Sequence, residues 1–223
     1  MTGVQSTSSE IEARPSRRGP RREQVVEALR EAIVSGRLED GERLIEDRIA
    51  RELKTSRGPV REALRQLEHE GFVVSYPYRG AVVMGVSEEE IQEVLIPIRL
   101  TLERFAFVKA QERMSDEDFA ELGKQVWLMG DAARTGELQR SVDADIAFHE
   151  LVLDRSGQAH TTQVWRTIAP RIRAYFFRYG RSADLARIGV EHGQLLAALQ
   201  SRDPAVVGEA LEHHIRERTP APA

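Results

Sequence analysis

Arginines at positions 57, 61 and 65, in the stretch TSRGPVREALRQLEHEGF (residues 55–72), constrain this chain more than any other feature. On a helix, a spacing of four stacks side chains along one face, and Ser56 stands where such a helix begins. A recognition helix presents that kind of N-terminal end to a DNA major groove. A solvated helix face carries the same stripe, so the surroundings must decide between the two.

Upstream, REQVVEALREAIVSG (22–36) repeats Val25, Val26, Leu29, Ile33 and Val34 at a helical period and ends at Gly36, a residue common just past a helix end. A turn-rich link, RLEDGERL, leads into IEDRIARELK, whose Ile45, Ile49 and Leu53 fit one helical face, and the TSR turn opens the arginine helix. Two helices joined by a short turn make a helix-turn-helix. After Gly71, FVVSYP and GAVVM are β-rich runs joined by Tyr76-Pro77-Tyr78-Arg79-Gly80, which reads as a hairpin with an aromatic and basic tip.

The segment RIARELKTSRGPVREALRQLEHEGFV resembles the winged-helix segment of the GntR family of bacterial transcription regulators, above all in its SRxPVREAL core, over about residues 22–86. The resemblance implies that Arg57 and Arg61 are the principal DNA-contacting side chains, with Ser56 capping the helix and donating toward a phosphate. Arg65, third in the stripe, and Arg79, at the wing tip, complete the expected DNA-binding set. A bidentate arginine–guanine contact supplies about 1–3 kcal/mol of discrimination. The chain departs from the family in having Lys54-Thr55 where Gly-Val is usual, and Gly58 where Thr is frequent.

Charge divides the sequence in two. Residues 1–86 hold 15 Lys/Arg against 14 Asp/Glu, a net +1, and the remainder hold 17 against 22, a net −5, which together give the −4 of the whole chain. That division predicts two domains with different ligands. No apolar run approaches the roughly 20 residues that span a bilayer, the start lacks a signal-peptide core, and there is no cysteine. The expectation is a soluble cytoplasmic protein. Residues 1–21 read as a disordered tail with Arg14, Arg17, Arg18 and Arg21, either a DNA-steering arm or a solubilising one.

From Ser87 onward the signals are helical. SEEE (87–90) and SDED (115–118) fit capping boxes, and Asp203-Pro204 fits N-cap then N1. Six helices are expected, at about 87–113, 116–133, 136–156, 160–180, 182–201 and 204–218, as an antiparallel bundle. The fold class is therefore mainly α: a winged helix-turn-helix over 22–86, then an all-α bundle over 87–219.

Polar residues interrupt the inward stripes of that bundle. The third helix carries Leu138, Val142, Asp145, His149 and Val152 on one face; the fifth carries Leu185, Ile188, His192, Leu195 and Leu199; the last carries Val207, Leu211 and His214. One inward histidine is ordinarily a satisfied core residue, but three with an aspartate are better explained by a metal. Asp145 and His149, at i and i+4, can chelate from a single helix.

DADIAFHELVLDRSG, EHGQLLAAL and EHHI resemble the FCD effector domain of the FadR branch of the GntR family, over about residues 87–217. The resemblance implies that Asp145, His149, His192 and His214 bind a divalent metal, often zinc or nickel, with His214 rather than His213 matching. It also implies a homodimer. Six helices rather than seven resemble the vanillate-regulator subgroup, which argues against an acyl-CoA ligand. Arg99, in IRLTLERF, matches the family's effector-binding arginine and borders the stripe Ile91, Leu95, Ile98, Leu102 and Phe105. The alternative for Arg99 is a surface ion pair with Glu103. Arg171, Arg173, Trp165, Tyr175 and Phe176 are further candidates for the cavity, and Gln158 replaces the family's usual asparagine.

These readings converge on a regulator, most often a repressor in this family, that binds a palindromic double-stranded operator and responds to a small organic acid held by the metal and Arg99. A metal-dependent hydrolase-like enzyme is the alternative of a different class; it lacks an evident base or nucleophile beside the four ligands and leaves the winged helix without a purpose.

Overall fold

The computed structural model describes residues 21–34, 37–78, 80–84, 88–179 and 185–217. Most of the basic tail, Gly36, Arg79 and Ser87 lie outside the described residues. The chain divides into two compact units, Met1–Gly85 and Val86–Ala223.

The first unit runs α1 (Arg21–Val34), β1 (Arg43–Leu44), α2 (Glu46–Glu52), α3 (Arg57–His69), β2 (Val73–Tyr76) and β3 (Gly80–Val83). In α3 the residues Val60, Ala63, Leu64 and Leu67 recur at the spacing of one helical face and are buried. Helix α3 packs on α1 and α2, whose Val25, Val26, Leu29 and Ile49 are buried as well. The pair Arg30–Glu70, with Nη2 2.6 Å from Oε2, ties α1 to the end of α3. The strands form one antiparallel sheet in the order β1-β3-β2, with Val73 opposite Val83, Tyr76 opposite Gly80 and Leu44 opposite Ala81. The hairpin turn places Tyr78 at φ 64° with its ring fully exposed.

Two local expectations change here. The link RLEDGERL contains β1, whose two residues are too few to show a period. Ile45 lies outside α2 as its N-cap and is exposed, so it does not share the buried face of Ile49.

Lys54 stands at the turn that closes α2. The Lys54 N–H donates to the carbonyl of Arg51 at 3.2 Å and the Thr55 N–H to that of Ala50 at 2.9 Å, the paired bonds that close a helix through a left-handed residue. Lys54 is that residue, at φ 49°. The left-handed form costs an ordinary side chain about 1–2 kcal/mol, part of which glycine returns through its own flexibility. Lys54→Gly is therefore expected to raise stability by about 0.5–1 kcal/mol in urea denaturation without changing the fold.

The second unit starts with three continuous pieces: α4 (Glu88–Glu90), a π-helical turn over Ile91–Leu95, and α5 (Ile96–Ala110). It continues with α6 (Asp116–Thr135), α7 (Leu138–Arg155), α8 (Ala159–Tyr179), α9 (Leu185–Ser201) and α10 (Pro204–Glu217). With the first three counted as one rod, the described residues of this unit form six helical rods. Ser115 and Asp118 make the expected capping box on α6, and Asp203 Oδ1 accepts from the Ala205 N–H at 2.8 Å to start α10. Helix α6 packs along α7 and α9, and α10 along α5 and α9. The approach of α6 to α9 is close: a Cβ on Gly189 would lie 3.3 Å from the backbone nitrogen of Gly130.

The π turn corrects the expected stripe. An α-helix running through 91–110 would bury Ile98, Leu102 and Phe105; the extra residue accommodated by the π turn moves the inward face on by one. Arg99, Glu103 and Ala106 are buried instead, and Phe105 is 48% exposed.

Candidate nucleic-acid interface and candidate metal centre

On α3, Arg57, Arg61 and Arg65 project from the face opposite the core, with side chains 66%, 55% and 68% exposed. Ser56 is the N-cap residue, with extended backbone, but its side chain makes no capping hydrogen bond. Each arginine has an acidic neighbour. Arg57 pairs with Asp47; Arg61 donates to both oxygens of Glu46, from Nε at 3.1 Å and Nη2 at 2.9 Å; Arg65 meets Glu62 at 3.0 Å. The Arg61 hydrogen bond holds the Glu46 carboxyl below its ordinary range, against a smaller opposing effect of burial. The sequence reading missed these acids because they come from α2 and from α3 itself, and only the fold sets Glu46 and Asp47 beside the arginines. Exposed pairs contribute about 0–1 kcal/mol, less than a bidentate guanine contact at about 1–3 kcal/mol. Ion pairs of this kind are weak enough to leave the three arginines available for other contacts.

In the second unit the structure brings Asp145 and His149 of α7, His192 of α9 and His214 of α10 together, each with one ligand atom within 4.8 Å of the others. All four are at most 2% exposed, whereas His213 is exposed. His149 Nε2 lies 3.3 Å from His214 Nε2, and His192 Nε2 lies 3.2 Å from Asp145 Oδ1. The outward ring nitrogens have their own neighbours. His192 Nδ1 is 2.8 Å from the carbonyl of Ile188, one turn back on α9. His149 Nδ1 is 2.7 Å from Glu103 Oε2, and His214 Nδ1 is 3.7 Å from Glu191 Oε2.

This arrangement fits a divalent ion. A carbonyl or carboxylate against Nδ1 places the ring proton there and leaves Nε2 as a bare acceptor, the usual support of a metal-bound histidine. The Nε2 atoms of His149 and His214, 3.3 Å apart, can share a proton or turn both lone pairs to one cation, and metal–nitrogen bonds of about 2.0–2.1 Å reach across that gap. Three imidazoles and one carboxylate suit zinc, nickel and their neighbours.

Arg99 and Glu103 form an ion pair, but a buried one rather than the surface pair considered from sequence. Their side chains are 7% and 0% exposed, with Arg99 Nε 2.7 Å from Glu103 Oε1 and Nη2 3.3 Å from Oε2. Burial would push the Glu103 carboxyl up, but Arg99 and then His149 outweigh it and hold it at about 2. Burial likewise works against the Arg99 cation, and Glu103 more than restores it. Trp165 donates from Nε1 to Glu103 Oε1 at 3.0 Å. Tyr175 and Phe176 are buried on α8. Arg173 pairs with Asp143 and Arg171 donates to the carbonyl of Thr167, so these contacts do not direct either toward the cluster.

A winged helix-turn-helix followed by a helical domain with an Asp/His₃ centre defines a DNA-binding regulator. Residues 21–83 match the gntR family of bacterial regulatory proteins, and residues 94–217, more than half of the chain, match the FCD domain. The chain belongs to the GntR family of transcriptional regulators, in the group that carries an FCD domain, and this is not a family of enzymes. It is 28% identical over 192 residues to the gluconate operon transcriptional repressor of Bacillus licheniformis, covering 83% of this chain and 78% of that one. It is 28% identical over 195 residues to a probable D-xylose utilization operon transcriptional repressor of Paenarthrobacter nicotinovorans, covering 86% and 84%. Among solved structures, that of E. coli McbR/YncC is similar with a TM-score of 0.63 and 25% identity, over 89% of this chain and 95% of the other. No helix among the described residues is long and apolar enough to cross a membrane.

Proposed function

We propose that this chain is a repressor that binds a palindromic operator as a homodimer and is controlled by a small organic acid bound at the metal centre of its second domain. Ser56, Arg57, Arg61 and Arg65 read or position the operator from α3, joined by Arg79. Asp145, His149, His192 and His214 hold a divalent ion, zinc or nickel, which when bound offers a coordination position to a carboxylate, and Arg99 takes part of that ligand's charge. The protein acts in the cytoplasm, where the operator is.

The observation that carries this reading is the convergence, in one buried region, of four ligand side chains and an arginine joined to one of them through Glu103. Relatives named for the gluconate and D-xylose operons support repression, and gluconate is itself a hydroxy acid that suits a metal and an arginine fork. A hydrolase-like role is not favoured: the carboxylate nearest the cluster, Glu103, is committed to Arg99, Trp165 and His149.

Asp145→Ala tests the metal and the effector together. The variant is expected to lose its bound ion in elemental analysis and to bind gluconate at least about tenfold more weakly by calorimetry, the lower end of what altering a metal centre costs. Unchanged gluconate affinity in a metal-free variant would reduce the ion to a brace of the bundle.

A further inference from the structure

We propose that Glu103 is a positioning residue that sets the tautomer of His149, so that affinity for the ion depends on the same carboxylate that braces Arg99. The inference deepens the proposed function and rests on its reading of the Asp/His₃ cluster as a metal site and of Arg99 as the effector arginine.

Glu103 is wholly buried and gathers donors from three helices. Its Oε1 accepts from Arg99 Nε on its own helix and from Trp165 Nε1 on α8; its Oε2 faces Arg99 Nη2 and His149 Nδ1 on α7. An ionised carboxylate only accepts hydrogen bonds, so with Oε2 2.7 Å away a neutral His149 ring is best placed with its proton on Nδ1. The other ring nitrogen, Nε2, then keeps its lone pair, and that atom lies 3.3 Å from His214 Nε2 inside the cluster. Arg99 has five N–H donors in a planar fork. Glu103 takes the Nε edge and leaves the Nη1/Nη2 edge with the geometry that accepts a second carboxylate. A residue that served packing alone would need neither oxygen to face a histidine.

Glu103→Gln separates these roles because it keeps the shape. The amide oxygen still accepts from Arg99 and Trp165. Turning the oxygen toward His149 is disfavoured, since the NH₂ group would then face two close donors, Arg99 Nε and Trp165 Nε1 at 2.7 and 3.0 Å, in place of Arg99 Nη2 at 3.3 Å. The NH₂ group is therefore left against His149 Nδ1, which must accept, and the ring proton moves to Nε2, where it blocks ligation.

The experiment measures Zn²⁺ affinity of wild type, Glu103→Gln and Asp145→Ala by chelator competition, and the His149 tautomer by ¹⁵N NMR in the metal-free proteins. Glu103→Gln is expected to weaken Zn²⁺ binding about 10–100-fold and to move the His149 proton from Nδ1 to Nε2, with all four ligands unchanged. Wild-type affinity together with an unmoved proton overturns the role of Glu103 alone. If wild type binds Zn²⁺ no better than Asp145→Ala, the metal site itself is wrong, and this inference falls with it. Should Glu103→Gln fail to fold, Arg99→Leu/Glu103→Gln, which removes the buried cation with the carboxylate, is compared with Arg99→Lys, which keeps both charges. The double variant is expected to bind Zn²⁺ about 10–100-fold more weakly than Arg99→Lys, and equal affinities overturn the proposal.

Discussion

Replacing Arg57 and Arg61 together by alanine is expected to abolish operator recognition while leaving the fold unchanged. Each bidentate arginine–guanine contact is worth about 1–3 kcal/mol, so the pair removes about 2–6 kcal/mol, roughly 30- to 10⁴-fold in affinity. Stability should not follow, because both side chains are more than half exposed and their ion pairs to Asp47 and Glu46 belong to the class worth about 0–1 kcal/mol. The measurement is enrichment of sheared DNA from the source organism by wild type and variant at one near-physiological salt concentration, since phosphate contacts make any affinity salt-dependent. Palindromic sites enriched by wild type and lost in the variant are the expected result. Equal enrichment by both proteins would remove these two arginines from the interface.

Arg99→Leu should be among the most destabilising single substitutions in the second unit. It leaves Glu103, fully buried, without its cation, and breaking a buried pair from one side costs about 3–5 kcal/mol. For a chain of this size that corresponds to a fall in melting temperature of roughly 6–20 °C. The pH dependence has a definite sign. The Glu103 carboxyl is depressed to about 2 from an ordinary 4.5, so it binds fewer protons folded than unfolded. Its contribution to stability is fully present above about 4.5 and is lost as the pH falls through about 2; the 2.5-unit difference is on the order of 3 kcal/mol. Denaturation curves at pH 3 and pH 7 should show the gap between wild type and Arg99→Leu narrowing in acid. A gap that widened would mean that Arg99 does not hold the Glu103 charge.

The DNA-binding unit was legible because its signals are local. The arginine spacing and the apolar residues of α1 can be read within single helices, and the hairpin runs sit close to β2 and β3. What escaped was set by pairing at a distance: β1 is a strand only because β3 lies beside it, and Glu46 and Asp47 matter only because α2 turns them toward α3. In the helical unit the histidines and Asp145 stood out as polar residues inside apolar stripes, each stripe complete within one helix. Arg99 was singled out by the family resemblance and its pairing with Glu103 was weighed, but their burial was not legible, because Ile98, Leu102 and Phe105 offered an equally good α-helical face and nothing in the sequence from 91 to 95 announces a π turn. The link from Glu103 to Trp165 spans 62 residues and belongs to the packing alone.

That π turn makes helix phase, rather than side-chain identity, the determinant of what the second domain encloses. One surplus residue rotates everything downstream by about 100°, enough to exchange an aliphatic lining for a charged one. A lineage whose residues 91–95 formed an ordinary α-turn at the same chain length would turn the same downstream sequence to a different face and so acquire a differently lined interior. Ligand preference in chains built this way can therefore change through substitutions confined to one turn of one helix, with every residue beyond it left as it was.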